Sequence, residues 1–251
     1  MAPPIDALPD IDEATMAQLF SIGAASVPSA LPTPVLQSWR REVAGLAASG
    51  AHPRVAGVRY QGMFLAGSIR AAMPITHAVL AACQRSVLDH GLAMQEPSML
   101  RQLFTHVLLQ RYAPGAGLPA HFDGMFPHPP HEEPDDAARV AANRAYFGLS
   151  FIWTIEGAGQ FTVHDRSCWD RPIDSTVTEP GSVTITLNAP IDPASDPALF
   201  AERFPVHSVT NICGDRTRTI MSFDMKVPHD GFGFDRIVRE WFDEAGRTLQ
   251  R

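Results

Sequence analysis

The stretch Gln110-Arg-Tyr-Ala-Pro-Gly-Ala-Gly-Leu-Pro-Ala-His-Phe-Asp123 decides how the chain folds. A Pro-Gly-Ala-Gly turn separates two strand-like runs, and the second run, residues 118–123, ends in the triplet His121-Phe-Asp123. Because alternate side chains of a strand share one face, the imidazole of His121 and the carboxylate of Asp123 are predicted to lie side by side.

Short strand-like runs separated by glycine and proline turns continue from this stretch to residue 227. They cover residues 104–112, 146–156, 160–164, 182–187, 206–211 and 217–227. Helical spacing of apolar residues marks 12–20, 34–49, 74–90 and 235–249. The fold class is therefore predicted to be mainly β with flanking helices (α+β), built on a sandwich or jelly roll.

The length of 251 residues fits a single domain. Within it we expect N-terminal helices and a capping or substrate-lid segment over 1–100. The catalytic core is expected over 101–228, and a C-terminal helix over 229–251.

Composition limits the classes of partner. A formal charge of −7 argues against broad electrostatic binding of nucleic acid, because such binding requires clustered Lys and Arg. Three widely spaced cysteines form no CxxC pair, and no apolar run reaches membrane-spanning length. The acidic, proline-rich start is unlike a signal peptide, so a soluble protein of the reducing cytoplasm is expected.

A second histidine, His207, lies on a strand-like run far downstream of the triplet. Two histidines and one carboxylate on one side of a metal leave other positions open, which is typical of non-haem Fe(II) oxygenases. His121, Asp123 and His207 are therefore the candidate metal ligands. The alternative interpretation is a surface triplet and a hydrogen-bonded core histidine.

With these residues in place, the chain resembles the Fe(II)- and 2-oxoglutarate-dependent oxygenases, whose core is a double-stranded β-helix, or jelly roll. The resemblance implies that the triad holds Fe(II) and that Arg218, on the last strand, binds the far carboxylate of the cosubstrate 2-oxoglutarate. Arg216, two residues earlier, is the rival for that carboxylate. O2 is the other implied cosubstrate.

Within this superfamily the stretch is most similar to the AlkB-like (alkylation-repair) branch, in which Asn-x-Tyr-x-Pro-Gly leads into the metal-binding triplet. The resemblance implies that Tyr112 and Gln110, which takes the place of the Asn, contact 2-oxoglutarate. The last strand departs from the pattern of that branch, because Asp224 stands where the branch has a second arginine.

The implied reaction is hydroxylation of an unactivated C–H of a small molecule, such as an amino-acid derivative or a biosynthetic intermediate, with release of succinate and CO2. Arg59, Tyr60 and Phe64 are the candidate substrate contacts, because early segments cap the mouth of the roll in this superfamily. Two alternatives stay open: an AlkB-like oxidative demethylase of nucleic acid or protein, and a jelly-roll protein that binds without turnover.

Overall fold

The computed structural model describes residues 12–46, 52–55, 57–63, 73–89, 104–121, 123, 146–188 and 204–228. The helices in these residues are α1 (Glu13–Ile22), α2 (Thr33–Ala44) and α3 (Pro74–Asp89). The strands are β1 (Ala24–Val27), β2 (His52–Val55), β3 (Val58–Met63), β4 (Phe104–Tyr112), β5 (Gly117–His121), β6 (Tyr146–Glu156), β7 (Gly159–Asp165), β8 (Cys168–Thr178), β9 (Val183–Asn188), β10 (Val206–Asn211) and β11 (Arg218–Pro228). No described helix is long and apolar enough to cross a bilayer.

The strands form two antiparallel sheets. The larger has the order β1-β9-β6-β11-β4-β3-β2, and the smaller has the order β5-β10-β7-β8. From β4 to β11 the chain passes from one sheet to the other between successive strands, except at the β7–β8 hairpin within the small sheet. This is the connectivity of a double-stranded β-helix. The predicted mainly β fold with a jelly-roll core is confirmed.

The two faces of the large sheet have different partners, because alternate side chains of each strand point in opposite directions. One face packs on the helices around Trp39, which is fully buried, stacks on Phe223 and meets Trp153 edge to face. The other face turns Tyr112 and Ile220 toward the small sheet, where they join one apolar cluster. The helices therefore cover one face of the large sheet, and its other face borders the interior of the roll.

Several predicted boundaries differ from the structure. Helix α2 ends at Ala44, and the N–H of Gly45 after it donates to the carbonyls of Arg41 and Glu42. Strand β8 was not predicted: it is an edge strand whose residues are mostly exposed, so it lacks apolar alternation. The predicted helix 235–249 lies outside the described residues.

Candidate active site

His121 and His207 meet where β5 and β10 pair. Their Cα atoms are direct partners in the antiparallel register, and the register shifts just beyond them, between His207 and Val209. Asp123 lies past the end of β5, and its carboxylate is close to both imidazole rings. Asp123 therefore reaches the site from beyond the strand, whereas it was expected within it.

The three side chains converge on one point. The Nε2 atoms of His121 and His207 each lie 3.4 Å from an oxygen of the Asp123 carboxylate. One ligand atom from each residue falls within 4.8 Å of the others, and the two imidazole centroids are 4.5 Å apart. The structure thus brings together the three predicted metal ligands.

Backbone carbonyls orient both imidazoles. Nδ1 of His121 lies 2.7 Å from the Pro119 carbonyl, and Nδ1 of His207 lies 3.3 Å from the Pro205 carbonyl. Because a carbonyl only accepts, each Nδ1 carries the proton and donates, which leaves the Nε2 lone pair for a metal. Phe161 stacks on His207 with centroids 5.0 Å apart and so limits rotation of that ring.

The charge state of Asp123 also suits a metal. Desolvation alone would raise the pKa of its carboxyl, but the charge of His207 and the contacts from both imidazoles outweigh it. They hold this pKa well below its usual range. The carboxylate is therefore ionised, as a metal ligand has to be.

The donor set fits a ferrous ion. Two neutral imidazoles and one carboxylate form the facial set that holds non-haem iron with positions left open for other ligands. Among the described residues this is the one group of three or more His, Cys, Asp or Glu side chains close enough to share an ion.

Arg218 lies in the same interior, at the start of β11. Its side chain is 1% exposed, and its Nη2 donates to the hydroxyls of Thr154 at 3.3 Å and Thr178 at 3.0 Å. Nε and Nη1 have no hydrogen-bond partner. Burial lowers the pKa of this guanidinium, yet arginine stays protonated in proteins, so a buried cation keeps free donors.

Gly159 makes room for that guanidinium. A Cβ at this position would lie 2.5 Å from Cζ of Arg218, closer than non-bonded carbon atoms approach. Thr178 fixes the arrangement from the neighbouring strand, because its hydroxyl donates to the Gly159 carbonyl at 3.1 Å and accepts from Arg218. Sequence analysis did not find Thr154, Thr178 or Gly159, since threonine is ordinary in strands and the run Gly157-Ala-Gly159 has the composition of a turn.

Tyr112 and Gln110 occupy β4 beside Arg218. Tyr112 is the Cα partner of Arg218, and its ring centroid lies 5.3 Å from Cζ, within the range of a cation–π contact. Its hydroxyl donates to Oε1 of Gln110 at 2.6 Å. The two residues are thus neighbours of the candidate carboxylate site, and both are buried.

The other predicted contacts are placed differently. Arg216 is exposed in the turn before β11, where its N–H donates to the Cys213 carbonyl. It lies outside β11, which begins at Arg218. Phe64 lies outside the described residues, as do the side chains of Arg59 and Tyr60, whose backbone belongs to β3.

No protein-family model and no curated protein sequence matches the chain. Solved structures match its fold. They include a prolyl-4-hydroxylase from Pseudomonas putida, 15% identical, with a TM-score of 0.51 over 86% of this chain and 97% of that one. HygX from Streptomyces hygroscopicus, solved with nickel and 2-oxoglutarate bound, is 10% identical, with a TM-score of 0.53 over 86% and 87% of the two chains.

A third match is SnoK, a non-haem alpha-ketoglutarate-dependent carbocyclase of nogalamycin biosynthesis. It is 12% identical, with a TM-score of 0.56 over 86% of this chain and 84% of that one. The fold is shared. At this level of identity the likeness describes the scaffold, and the chemistry depends on the side chains of this chain.

Proposed function

We propose that this protein is an Fe(II)- and 2-oxoglutarate-dependent oxygenase that hydroxylates an unactivated C–H of a small molecule. One observation carries the proposal: two imidazoles and a carboxylate converge at one point, and a buried arginine with free donors lies in the same roll. When bound, iron and 2-oxoglutarate supply the oxidising chemistry: O2 gives one oxygen atom to the substrate and one to succinate, with release of CO2.

The side chains of this chain then have separate roles. His121, Asp123 and His207 hold the iron on one side, and the carbonyl contacts of both rings fix the direction of their Nε2 lone pairs. Arg218 offers Nε and Nη1 to the far carboxylate of 2-oxoglutarate, with charge-assisted contacts worth about 1.5–3 kcal/mol each. Both ends of the cosubstrate are thereby positioned.

The apolar interior contributes by excluding water. Tyr112, Ile220 and Phe161 are buried and belong to one cluster between the sheets. Charge-assisted contacts are stronger in such a low-dielectric space than at a surface. No side-chain general base is required for this class of reaction.

A small-molecule substrate, such as an amino-acid derivative or a biosynthetic intermediate, is supported by the net charge of −7. The solved structures that share the fold support a small-molecule substrate in part. They include a carbocyclase of a biosynthetic route, but also a prolyl hydroxylase. We also propose a single cytoplasmic domain with its catalytic core over 101–228, the lid and helices over 1–100 and a final helix over 229–251.

The second candidate is an AlkB-like oxidative demethylase of nucleic acid or protein. It is favoured by the run Gln110-Arg-Tyr-Ala-Pro-Gly115, whose Gln110 and Tyr112 lie beside Arg218. Asp224 in place of a second arginine argues against it. A protein that binds without turnover is the remaining alternative, and the complete triad argues against that.

The test is succinate release from 2-oxoglutarate by the iron-loaded protein, with amino-acid derivatives and methylated oligonucleotides as separate substrate panels. We expect an amino-acid derivative or related small molecule to accelerate release in the wild type but not in His121→Ala. Acceleration by methylated oligonucleotides alone would favour the demethylase. An iron-loaded wild type that neither binds nor consumes 2-oxoglutarate would refute the oxygenase.

A further inference from the structure

Among the residues that the structure describes, no counter-charge accompanies the buried cation of Arg218. Its side chain is 1% exposed, and Nε and Nη1 have no partner. No described Asp or Glu lies within salt-bridge distance of it, since the described ion pairs involve Asp123 and Asp165 only. Burial of an uncompensated charge is strongly unfavourable, so a small anion beside the guanidinium would stabilise the folded protein.

The described neighbours of the guanidinium that contact it supply dipoles but no carboxylate. Two threonine hydroxyls, from Thr154 and Thr178, accept from Nη2, and the Tyr112 ring adds a cation–π contact. Because the hydroxyls occupy Nη2, the other two nitrogens remain as the donors for a ligand. The donor set is thus already fixed before any ligand arrives.

Two features keep the guanidinium in this position. Gly159 has no side chain where a Cβ would lie 2.5 Å from Cζ of Arg218. The Thr178 hydroxyl donates to the Gly159 carbonyl, so its lone pairs face the arginine. The site is therefore built by β6, β7, β8 and β11 together, and it does not depend on the metal ligands.

We infer that the Arg218 site is an anion site in its own right, which holds a small inorganic monoanion such as chloride before the cosubstrate binds. The carboxylate of the cosubstrate then displaces that anion, so the anion concentration regulates cosubstrate affinity. The competition rests on the proposed function, whereas the anion site rests on the arginine alone.

The first experiment uses the metal-free protein and chloride as the probe. Thermal unfolding is measured in sodium chloride and in the sodium salt of HEPES, a bulky sulfonate, at equal ionic strength. We expect a saturable rise of Tm in chloride for the wild type and for the control Arg216→Met, and none for Arg218→Met. A chloride effect equal in Arg218→Met and wild type would overturn the inference.

A second pair of variants covers the case in which Arg218→Met does not fold. Thr178→Val removes one acceptor of Nη2, and Thr176→Val changes the same residue type on the same strand. Because the Thr178 hydroxyl also holds the guanidinium in position beside Gly159, the chloride concentration at half-maximal effect should rise roughly fivefold in Thr178→Val. It should stay unchanged in Thr176→Val. Equal values in the two variants would contradict the assignment.

The competition is measured by calorimetry, with 2-oxoglutarate titrated into the iron-loaded protein under anaerobic conditions. The apparent Kd should rise linearly with chloride and remain constant with the HEPES salt. A chloride-independent Kd together with a chloride-independent Tm refutes the anion site and leaves the proposed oxygenase standing. Absence of 2-oxoglutarate binding in every salt refutes the oxygenase, while a chloride-dependent Tm would still support the anion site.

Discussion

His121 and His207 are Cα partners across β5 and β10, and each holds its Nδ1 against the carbonyl of a proline two residues earlier. Pro119, within β5, and Pro205, directly before β10, thus have the same role. Because backbone atoms fix both rings, the metal site is oriented before an ion arrives, and little side-chain entropy has to be lost on binding.

Loss of either histidine should abolish metal binding. His121→Ala and His207→Ala each remove one of three ligands, so Fe(II) affinity should fall by more than the roughly 10–100-fold that outer-sphere partners contribute. Calorimetry with Fe(II) measures this. His164→Ala is the control, because His164 contacts Ser208 and belongs to no ligand cluster in the described residues. Equal affinity in His207→Ala and His164→Ala would contradict the assignment.

Asp123 should stabilise the metal-free protein in a pH-dependent way. Its folded pKa is lowered, so its contribution is present above the ordinary value of 3.8 and is lost as pH falls toward the folded pKa. At pH 5 the wild type should resist urea better than Asp123→Asn, and the difference should shrink below pH 3.8. A difference that grows on acidification would show that the sign is wrong.

Arg218 and Arg216 should differ in their effect on the cosubstrate. Arg218→Ala removes the buried donors and should weaken 2-oxoglutarate binding by about 1.5–3 kcal/mol per lost contact, which corresponds to a factor of roughly 10–150. Arg216→Ala removes an exposed side chain and should leave the KM for 2-oxoglutarate nearly unchanged. Succinate-release kinetics separate the two. A larger effect of Arg216→Ala would reverse the choice between them.

Gly159→Ala should displace the guanidinium without unfolding the protein. The added methyl group would collide with the far end of a flexible side chain, which moves more easily than backbone. The Kd for 2-oxoglutarate should rise roughly tenfold or more, while the Kd for Fe(II) stays constant. Gly45→Ala is the matched control, because the nearest atom to its Cβ would be an ordinary 3.4 Å away. Loss of Fe(II) binding in Gly159→Ala would point instead to general disruption.

Glu42 should contribute to stability but not to catalysis. Its carboxylate accepts from the N–H groups of Ile75 and Thr76 at 2.7 and 2.8 Å, so it caps the start of α3. Glu42→Gln should lower the free energy of unfolding by about 1 kcal/mol and leave the KM for 2-oxoglutarate unchanged. Denaturant titration measures the first effect. The exposed Glu179→Gln should change neither quantity.

The sequence predicted the parts of the site that have distinctive residue types in a recognisable order. His121, Asp123, His207 and Arg218 are of this kind, and the jelly-roll core followed from short runs between turns. The partners of Arg218 were not predictable, because Thr154 and Thr178 come from strands far apart in sequence and look like any strand threonine. Strand β8 was missed because backbone hydrogen bonds join it to β7, while its own sequence has no apolar alternation.

The division of the large sheet into two faces has a consequence for redesign. Met221 and Phe223 pack toward the helices, whereas Arg218 and Ile220 face the interior, so a one-residue slip of β11 would exchange them. A substitution that repacks the helix side of the sheet around Met221 and Phe223 would leave the residues that line the interior unchanged. A single deletion within β11 would instead exchange the side chains that face the interior with those that face the helices.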